Sequence, residues 1–292
     1  MIANLEQIYC LADNFVKFIE KEVFKKSSVG RKGMLTRAEY LTIAIIKQDL
    51  GIKTNKKLYK LIKFCMQNAF STLPSYSQFI SGMNSNLLYL VYFLQIHTKI
   101  NQQNSKGLYF VDSTPMPICS NAHRYAVKTD LGSASAGKNM NGWFYGYKLH
   151  LIINHNMDIV SFKFTTGSTN DTTALDEKLI KDLQGYLIGD KGYISSKKKK
   201  ELAAKGLLLM TKPRKNMKQP PATPLSIALF KCRMKIESIF GTLKHEFSLI
   251  NRYARSITGY FTQALAALVT YCLKNDEQYI YLMTSFEELL IS

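Results

Sequence analysis

Three acidic residues stand where a metal-assisted phosphate reaction would need them: Asp112 in Phe-Val-Asp-Ser-Thr, Asp190 in Ile-Gly-Asp-Lys-Gly-Tyr, and Glu237 in Arg-Met-Lys-Ile-Glu. Mg²⁺ is a hard ion that takes carboxylate oxygens and keeps several waters, so phosphoryl transfer with divalent metal calls for acids of this kind. Two ions about 4 Å apart activate the attacking hydroxyl and stabilise the leaving oxygen. Asp112 and Asp190 each close an apolar run, which places them at or just inside a strand end. Asp130, Asp158, Asp171, Asp176 and Asp182 lie in polar or amphipathic surroundings and are weaker candidates. Taken singly, a strand-end Asp serves equally well as a turn or helix cap.

Glu237 brings company. At about 100° per residue, Phe230, Arg233 and Lys244 fall within roughly 40° of it around a helix axis. An apolar stripe of Leu229, Ile236, Phe240, Leu243 and Phe247 runs beside that face, so burying the stripe aims Glu237 at the rim of a core. An ordinary solvated Arg-Glu pair at i, i+4 gives the same spacing and contributes only about 0.2–0.5 kcal/mol.

The elements that must position these acids change texture along the chain. Up to about residue 104 the apolar spacing is helical: Leu5 to Phe24, Leu41 to Leu50 behind a Thr36 cap and closed by Gly51, Leu58 to Phe64, and Tyr76 to about Ile100. A helix-turn-helix around Gly51-Ile-Lys-Thr-Asn and plain bundle packing both fit this pattern. Strand runs follow at Leu108–Asp112, Trp143–Ile153, Ile159–Thr165, Tyr186–Gly189 and Leu207–Met210, with helices expected over Thr172–Leu183, Ser196–Lys205 and Leu225–Leu249. Asn121–Gly142 and Lys212–Pro224 read as loops. Successive strands followed by strands alternating with helices predict an α/β fold: a ribonuclease H-like mixed sheet with flanking helices, preceded by an all-helical N-terminal domain.

Among the 292 residues, 39 Lys and Arg against 21 Asp and Glu leave a net charge of +18, which suits a polyphosphate partner: DNA, RNA or an anionic membrane. A membrane is disfavoured, because stretches such as Leu87–Leu94 fall short of the roughly 20 apolar residues a span needs. The Met1-Ile-Ala-Asn start lacks a secretory pattern, so a cytoplasmic location is expected. The five cysteines are scattered, which argues against a zinc site or a disulfide framework and for reduced thiols. With hydrophobic residues at 46% and aromatics at 12%, the chain can bury a sizeable core.

Asp112, Asp190 within Gly-Asp-Lys-Gly-Tyr, and a helix carrying an aromatic, Arg233, Glu237 and Lys244 together resemble the DDE transposases of bacterial insertion sequences. The resemblance runs from about Tyr109 to Tyr271 and includes Gly146-Tyr-Lys-Leu-His150. It departs from the family at Phe230, where similar helices usually carry Tyr. By this resemblance, Asp112, Asp190 and Glu237 would be the catalytic acids, holding Mg²⁺, or Mn²⁺ in its place, as two ions. Arg233 and Lys244 would contact DNA phosphates near the cut. The enzyme would cleave DNA at terminal inverted repeats and join the exposed 3′ hydroxyl to target DNA, as a dimer or higher oligomer in the bacterial nucleoid. The implied division is 1–104 for DNA-end binding, 105–275 for the catalytic domain and 276–292 as a tail.

Lys197, Lys198, Lys199, Lys200, Lys205, Lys212, Arg214, Lys215 and Lys218 face only Glu201 in sequence, and are expected to form a DNA-backbone surface that Arg252 and Arg255 extend. Trp143 is expected to pack rather than to stack on bases. His150 reads as a core or edge histidine as readily as a group near the phosphate, and Asp171 as a helix cap. A ribonuclease H-like nuclease without strand transfer, and a non-catalytic DNA-binding regulator, are the competing readings.

Overall fold

The computed structural model describes residues 5–24, 33–70, 72–126, 132–139, 142–214, 216–217 and 223–275. Its elements, in order, are α1 (Leu5–Glu22), α2 (Arg37–Asp49), α3 (Asn55–Cys65), α4 (Tyr76–Asn84), α5 (Leu87–Gln103), β1 (Leu108–Ser120), β2 (Ser135–Asn139), β3 (Gly142–Asn154) and β4 (Ile159–Thr166). They continue with α6 (Asp171–Ala174), β5 (Gly185–Gly189), α7 (Ser196–Ala203), β6 (Leu207–Thr211), α8 (Pro224–Cys232), α9 (Met234–His245) and α10 (Ile257–Asn275). Two compact units result: Met1–Ile96 with Leu243–Ser292, and His97–Thr242.

The first unit is helical. α1 is amphipathic and buries Ile8, Leu11, Phe15 and Ile19. A capping box opens α2, in which Thr36 Oγ1 accepts the Glu39 N–H at 3.1 Å while Glu39 Oε2 accepts that of Thr36. The expected single helix from Tyr76 is two helices. Its break falls at Ser85-Asn86, where the fully buried Asn86 donates to the Gly82 carbonyl at 2.8 Å. α10 packs against α2 and α4, so the chain beyond Leu243 groups with the N-terminal helices. Residues 276–292 lie outside the described residues.

In the second unit a six-stranded mixed sheet carries the order β2-β3-β1-β5-β6, with β4 also paired to β3. β3 runs antiparallel to β1, β2 and β4, whereas β5 and β6 are parallel to β1 and to each other. This is the expected antiparallel section followed by parallel strands. Tyr109, Val111, Ile152, Val160, Leu187, Leu207 and Leu209 form the core beneath it.

Other local expectations differ too. The segment read as a loop over Asn121–Gly142 contains β2, whose Gly- and Ser-rich sequence carries no strand signal and which pairs because β3 offers an edge. The helix expected over Thr172–Leu183 is one turn, α6, followed by consecutive turns in which Leu179 N–H bonds Asp176 O and Leu183 N–H bonds Ile180 O. Those turns bury Leu175, Leu179, Ile180 and Leu183, so they satisfy the spacing that imitates a helix. The long helix over Leu225–Leu249 is α8 and α9, joined at Arg233, and it ends at His245.

Candidate active site

Parallel pairing between β1 and β5 runs from Leu108↔Tyr186 to Val111↔Gly189. Asp112 follows within β1, which runs on to Ser120 rather than ending at the acid as expected, and Asp190 is the first residue beyond β5; parallel neighbours lie about 4.8 Å apart. Asp190 is still extended, at φ −76° and ψ 174°, so strand alternation directs both carboxylates to one face. The glycines of the second acid's phrase make room nearby. A Cβ at Gly189 would sit 3.1 Å from Val111 Cγ1, and one at Gly192 would sit 2.9 Å from Asp171 Oδ2.

Arg233, at the joint between α8 and α9, reaches both other acids. Its Nη1 donates to Asp112 Oδ2 at 3.0 Å and its Nη2 to Glu237 Oε1 at 2.8 Å. The Arg233 side chain is only 15% exposed, against 53% for Glu237, so the arginine end of the pair is held in the fold while the carboxylate end meets solvent. Burial pushes the Asp112 carboxyl up to about 6, and the nearby charges of Asp190 and Glu237 push in the same direction. The Ser113 N–H and Arg233 pull against them. Three acids therefore act on one locus, and one arginine holds two of them.

Asp171 joins them. Asn170, not Asp171, occupies the N-cap of α6, and makes no side-chain cap bond. The Asp171 carboxylate instead accepts from Ser113 Oγ at 2.9 Å and lies 3.5 Å from Lys148 Nζ. Ser113 also donates its backbone N–H to Asp112 Oδ1 at 2.8 Å, so it ties Asp171 to the first acid. Sequence reasoning took Asp171 for a cap because it follows a turn; its register beside Gly192 is a tertiary fact. Tyr193, buried in the core below, has its phenol pushed well above its usual range by burial and then by Asp171 and Asp112. His150, opposite Ser113 in the β1–β3 register, is buried and its Nε2 is bonded to Thr165 Oγ1 at 2.9 Å. Burial pushes its pKa down to about 4, so the ring is neutral and serves the core.

Over residues 102–257 the chain matches the transposase DDE domain. It belongs to the transposase DDE domain family. Among solved structures, this DDE transposase is similar to piggyBac transposase in a synaptic complex with hairpin DNA, at 8% identity and a TM-score of 0.55, covering 98% of this chain and 80% of that one. That likeness bears on the fold alone. A pre-cleavage Mos1 transpososome is similar at 11% identity over 98% of each chain, but its TM-score of 0.25 carries no weight. No curated relative matches the chain.

The remaining basic residues of this DDE transposase divide by their partners. Lys197, Lys199 and Lys200 are exposed on α7. Lys198 pairs with Glu201 at 2.9 Å, and Lys205 with Glu177 at 2.5 Å. Lys212 is exposed, with its Nζ 5.3 Å from the Phe230 ring centroid, so the aromatic that departs from the usual Tyr meets a cation across its face. Arg214 is exposed, Lys215 and Lys218 lie outside the described residues, and Lys244 occupies the last turn of α9. Trp143, expected to pack, is 59% exposed on β3 with Lys138 Nζ 5.7 Å from its ring, because it sits at the outer end of the β2–β3 pair.

As placed, no group of three His, Cys, Asp or Glu among the described residues is close enough to hold a metal ion. The donors nevertheless fit a hard divalent ion in kind: oxygen only, with an Asp112 carboxyl raised first by burial and further by Asp190 and Glu237, a charge balance that favours a cation. Arg233 supplies that positive charge in this arrangement.

Proposed function

We propose that the protein is an insertion-sequence transposase that cleaves DNA at its element's terminal inverted repeats and transfers the exposed 3′ hydroxyl to target DNA. Asp112, Asp190 and Glu237 are the catalytic acids and would hold Mg²⁺ or Mn²⁺, two ions in all. The observation that carries this reading is the bridge from Arg233 to Asp112 and Glu237, together with the pressure of Asp190 on Asp112. Bound metal would supply a Lewis acid for the phosphate oxygens and an activated hydroxyl nucleophile.

The protein's own groups do the rest. Adjacent parallel strands would set Asp112, within β1, beside Asp190, just past β5, and Ser113 and Asp171 hold the Asp112 carboxylate in one orientation. Arg233 keeps Asp112 and Glu237 together, and when it turns outward its fork matches a phosphate bidentately. Lys244, together with Lys197, Lys199, Lys200, Lys212, Arg214 and Lys215, would bind backbone phosphates, adding affinity rather than sequence choice, while Lys198, also expected on that surface, is paired with Glu201. Residues 1–104 would engage the element ends, and two protomers at least would pair those ends on the nucleoid. No described helix is long and apolar enough to cross a membrane.

The test is purified protein with a labelled terminal-repeat duplex and Mg²⁺. Nicked and joined products are expected. Nicking without joining would replace the transposase with a ribonuclease H-like nuclease, and a metal-independent gel shift alone would leave only a DNA-binding regulator.

A further inference from the structure

Within the helical unit, and apart from the acids, lies a groove of about 940 Å³. Lys53 and Lys56 line it from the turn and first residues of α3, Tyr76 from the start of α4, and Arg252, Tyr253 and Arg255 from the segment that leads into α10. All four cationic side chains are exposed, and no acid lines the groove. Three helices begin here. Thr54 caps α3, Ser75 caps α4, and Ser256 Oγ accepts the Gly259 N–H at 3.1 Å at the start of α10. Each cap satisfies one N–H, which leaves other first-turn N–H groups, and the positive partial charge they carry, close to the groove.

The groove is built rather than incidental. Asn251, 4% exposed, donates its side-chain N–H groups to the Lys53 carbonyl at 2.8 Å and to Gln263 Oε1, and accepts the Tyr253 N–H at 2.8 Å. Gln263 in turn donates to Asn55 Oδ1 at 3.4 Å. One buried amide network thus locks the turn before α3 to the segment before α10, although nearly two hundred residues separate them.

We propose that this groove binds the phosphodiester backbone of double-stranded DNA. Four unopposed cations beside three helix starts form a site for a polyanion, and the volume suits a stretch of strand rather than one small anion. A duplex is favoured over a single strand because two rings alone line the groove, Tyr253 and a Tyr76 packed edge-on against Tyr59 with ring centroids 5.4 Å apart, where stacking would need a series. The site needs none of the three acids.

The experiment is fluorescence anisotropy of the full chain with a labelled duplex of arbitrary sequence, and with one of its strands alone, in EDTA, over about 50 to 200 mM salt. Removing metal separates this proposal from the cleavage chemistry, so either can fail alone. Lys53→Ala/Lys56→Ala and Arg252→Ala/Arg255→Ala should each lower affinity and reduce the log–log salt slope by about 2. Lys17→Ala/Lys21→Ala, with the same charge change on α1, should leave the slope unchanged. Wild-type slopes in both groove variants, an equal fall in the α1 control, or a loss confined to single-stranded DNA would each overturn the proposal. Should a groove variant fail to fold, hydrogen exchange on the wild type decides. Duplex must slow the amides of residues 55–57, 76–78 and 257–259, and unchanged rates there sink the idea.

Discussion

The acid cluster of the sheet unit and the groove of the helical unit treat positive charge in opposite ways. In the sheet unit Arg233 is held by two carboxylates, and Lys198 and Lys205 each have an acid of their own. In the helical unit Lys53, Lys56, Arg252 and Arg255 share a groove with no acid in its lining. Net charge alone cannot separate these uses, because a cation already paired has less to offer a phosphate than one facing solvent. Position beside an acid turns Arg233 into an organiser of the site, whereas a shared groove turns four scattered residues into a surface.

The comparison breaks first at the acids. Asp112→Asn, Asp190→Asn or Glu237→Gln is expected to reduce terminal-repeat cleavage below detection while duplex affinity in EDTA stays at the wild-type value. Full cleavage by any one of them would remove that residue from the site. A smaller effect is expected at Asp171, which reaches Asp112 only through Ser113. Asp171→Asn should slow cleavage by about 10–100-fold, as loss of an outer partner does, with the fall in kcat rather than in KM. A change confined to thermal stability would make Asp171 merely structural.

Asp112 and Asp190 stand out in sequence because an apolar run that stops at an acid is a local pattern, and it marks a true strand end at Asp190 but not at Asp112, where β1 runs on to Ser120; Gly189 and Gly192 mark the crowding around the second. Glu237 and Arg233 are legible through helical spacing. What spacing does not contain is direction: that Arg233 turns towards Asp112, that Asp171 is spent on Ser113, or that Lys198 is neutralised by Glu201. β2 carries no strand signal of its own, and the turns over 175–183 copy a helix because they bury the same apolar positions. The groove was the least visible feature, since Asn251 joins segments far apart in the chain. Only Arg252 and Arg255, and the turn at Gly51, hinted at it.

A buried charge in each unit extends the contrast. Lys47 on α2 is 1% exposed, and its Nζ has no hydrogen-bond partner among the described residues. Burial pushes its pKa down to about 7, from 10.5. A depressed pKa means that the folded state binds fewer protons than the unfolded chain across that window. Stability from the neutral amine is thus complete above about 10.5 and lost as pH falls through about 7. Lys47→Met should therefore raise the unfolding free energy at pH 6 by on the order of 3 kcal/mol, with the gain shrinking as pH rises. Denaturant titrations at several pH values test this, and a destabilised variant at pH 6 would contradict it.

Asp112 is the counterpart, a buried acid that has a cation. Its carboxyl sits at about 6 rather than 3.8 even with Arg233 in place, so ionising it costs stability. The contribution of the protonated form is complete below about 3.8 and lost as pH rises through about 6. Part of that upward pressure comes from Asp190, the residue beside it across the β1–β5 pair. Asp190→Asn should lower the Asp112 pKa, and Arg233→Ala should raise it, because one removes a repelling charge and the other an attracting one. Carboxyl-carbon NMR titration of the metal-free protein reads both. Opposite displacements would mean that the acids and the arginine share one field; an Asp112 titration unmoved by Asp190→Asn would mean that the two carboxylates do not face each other.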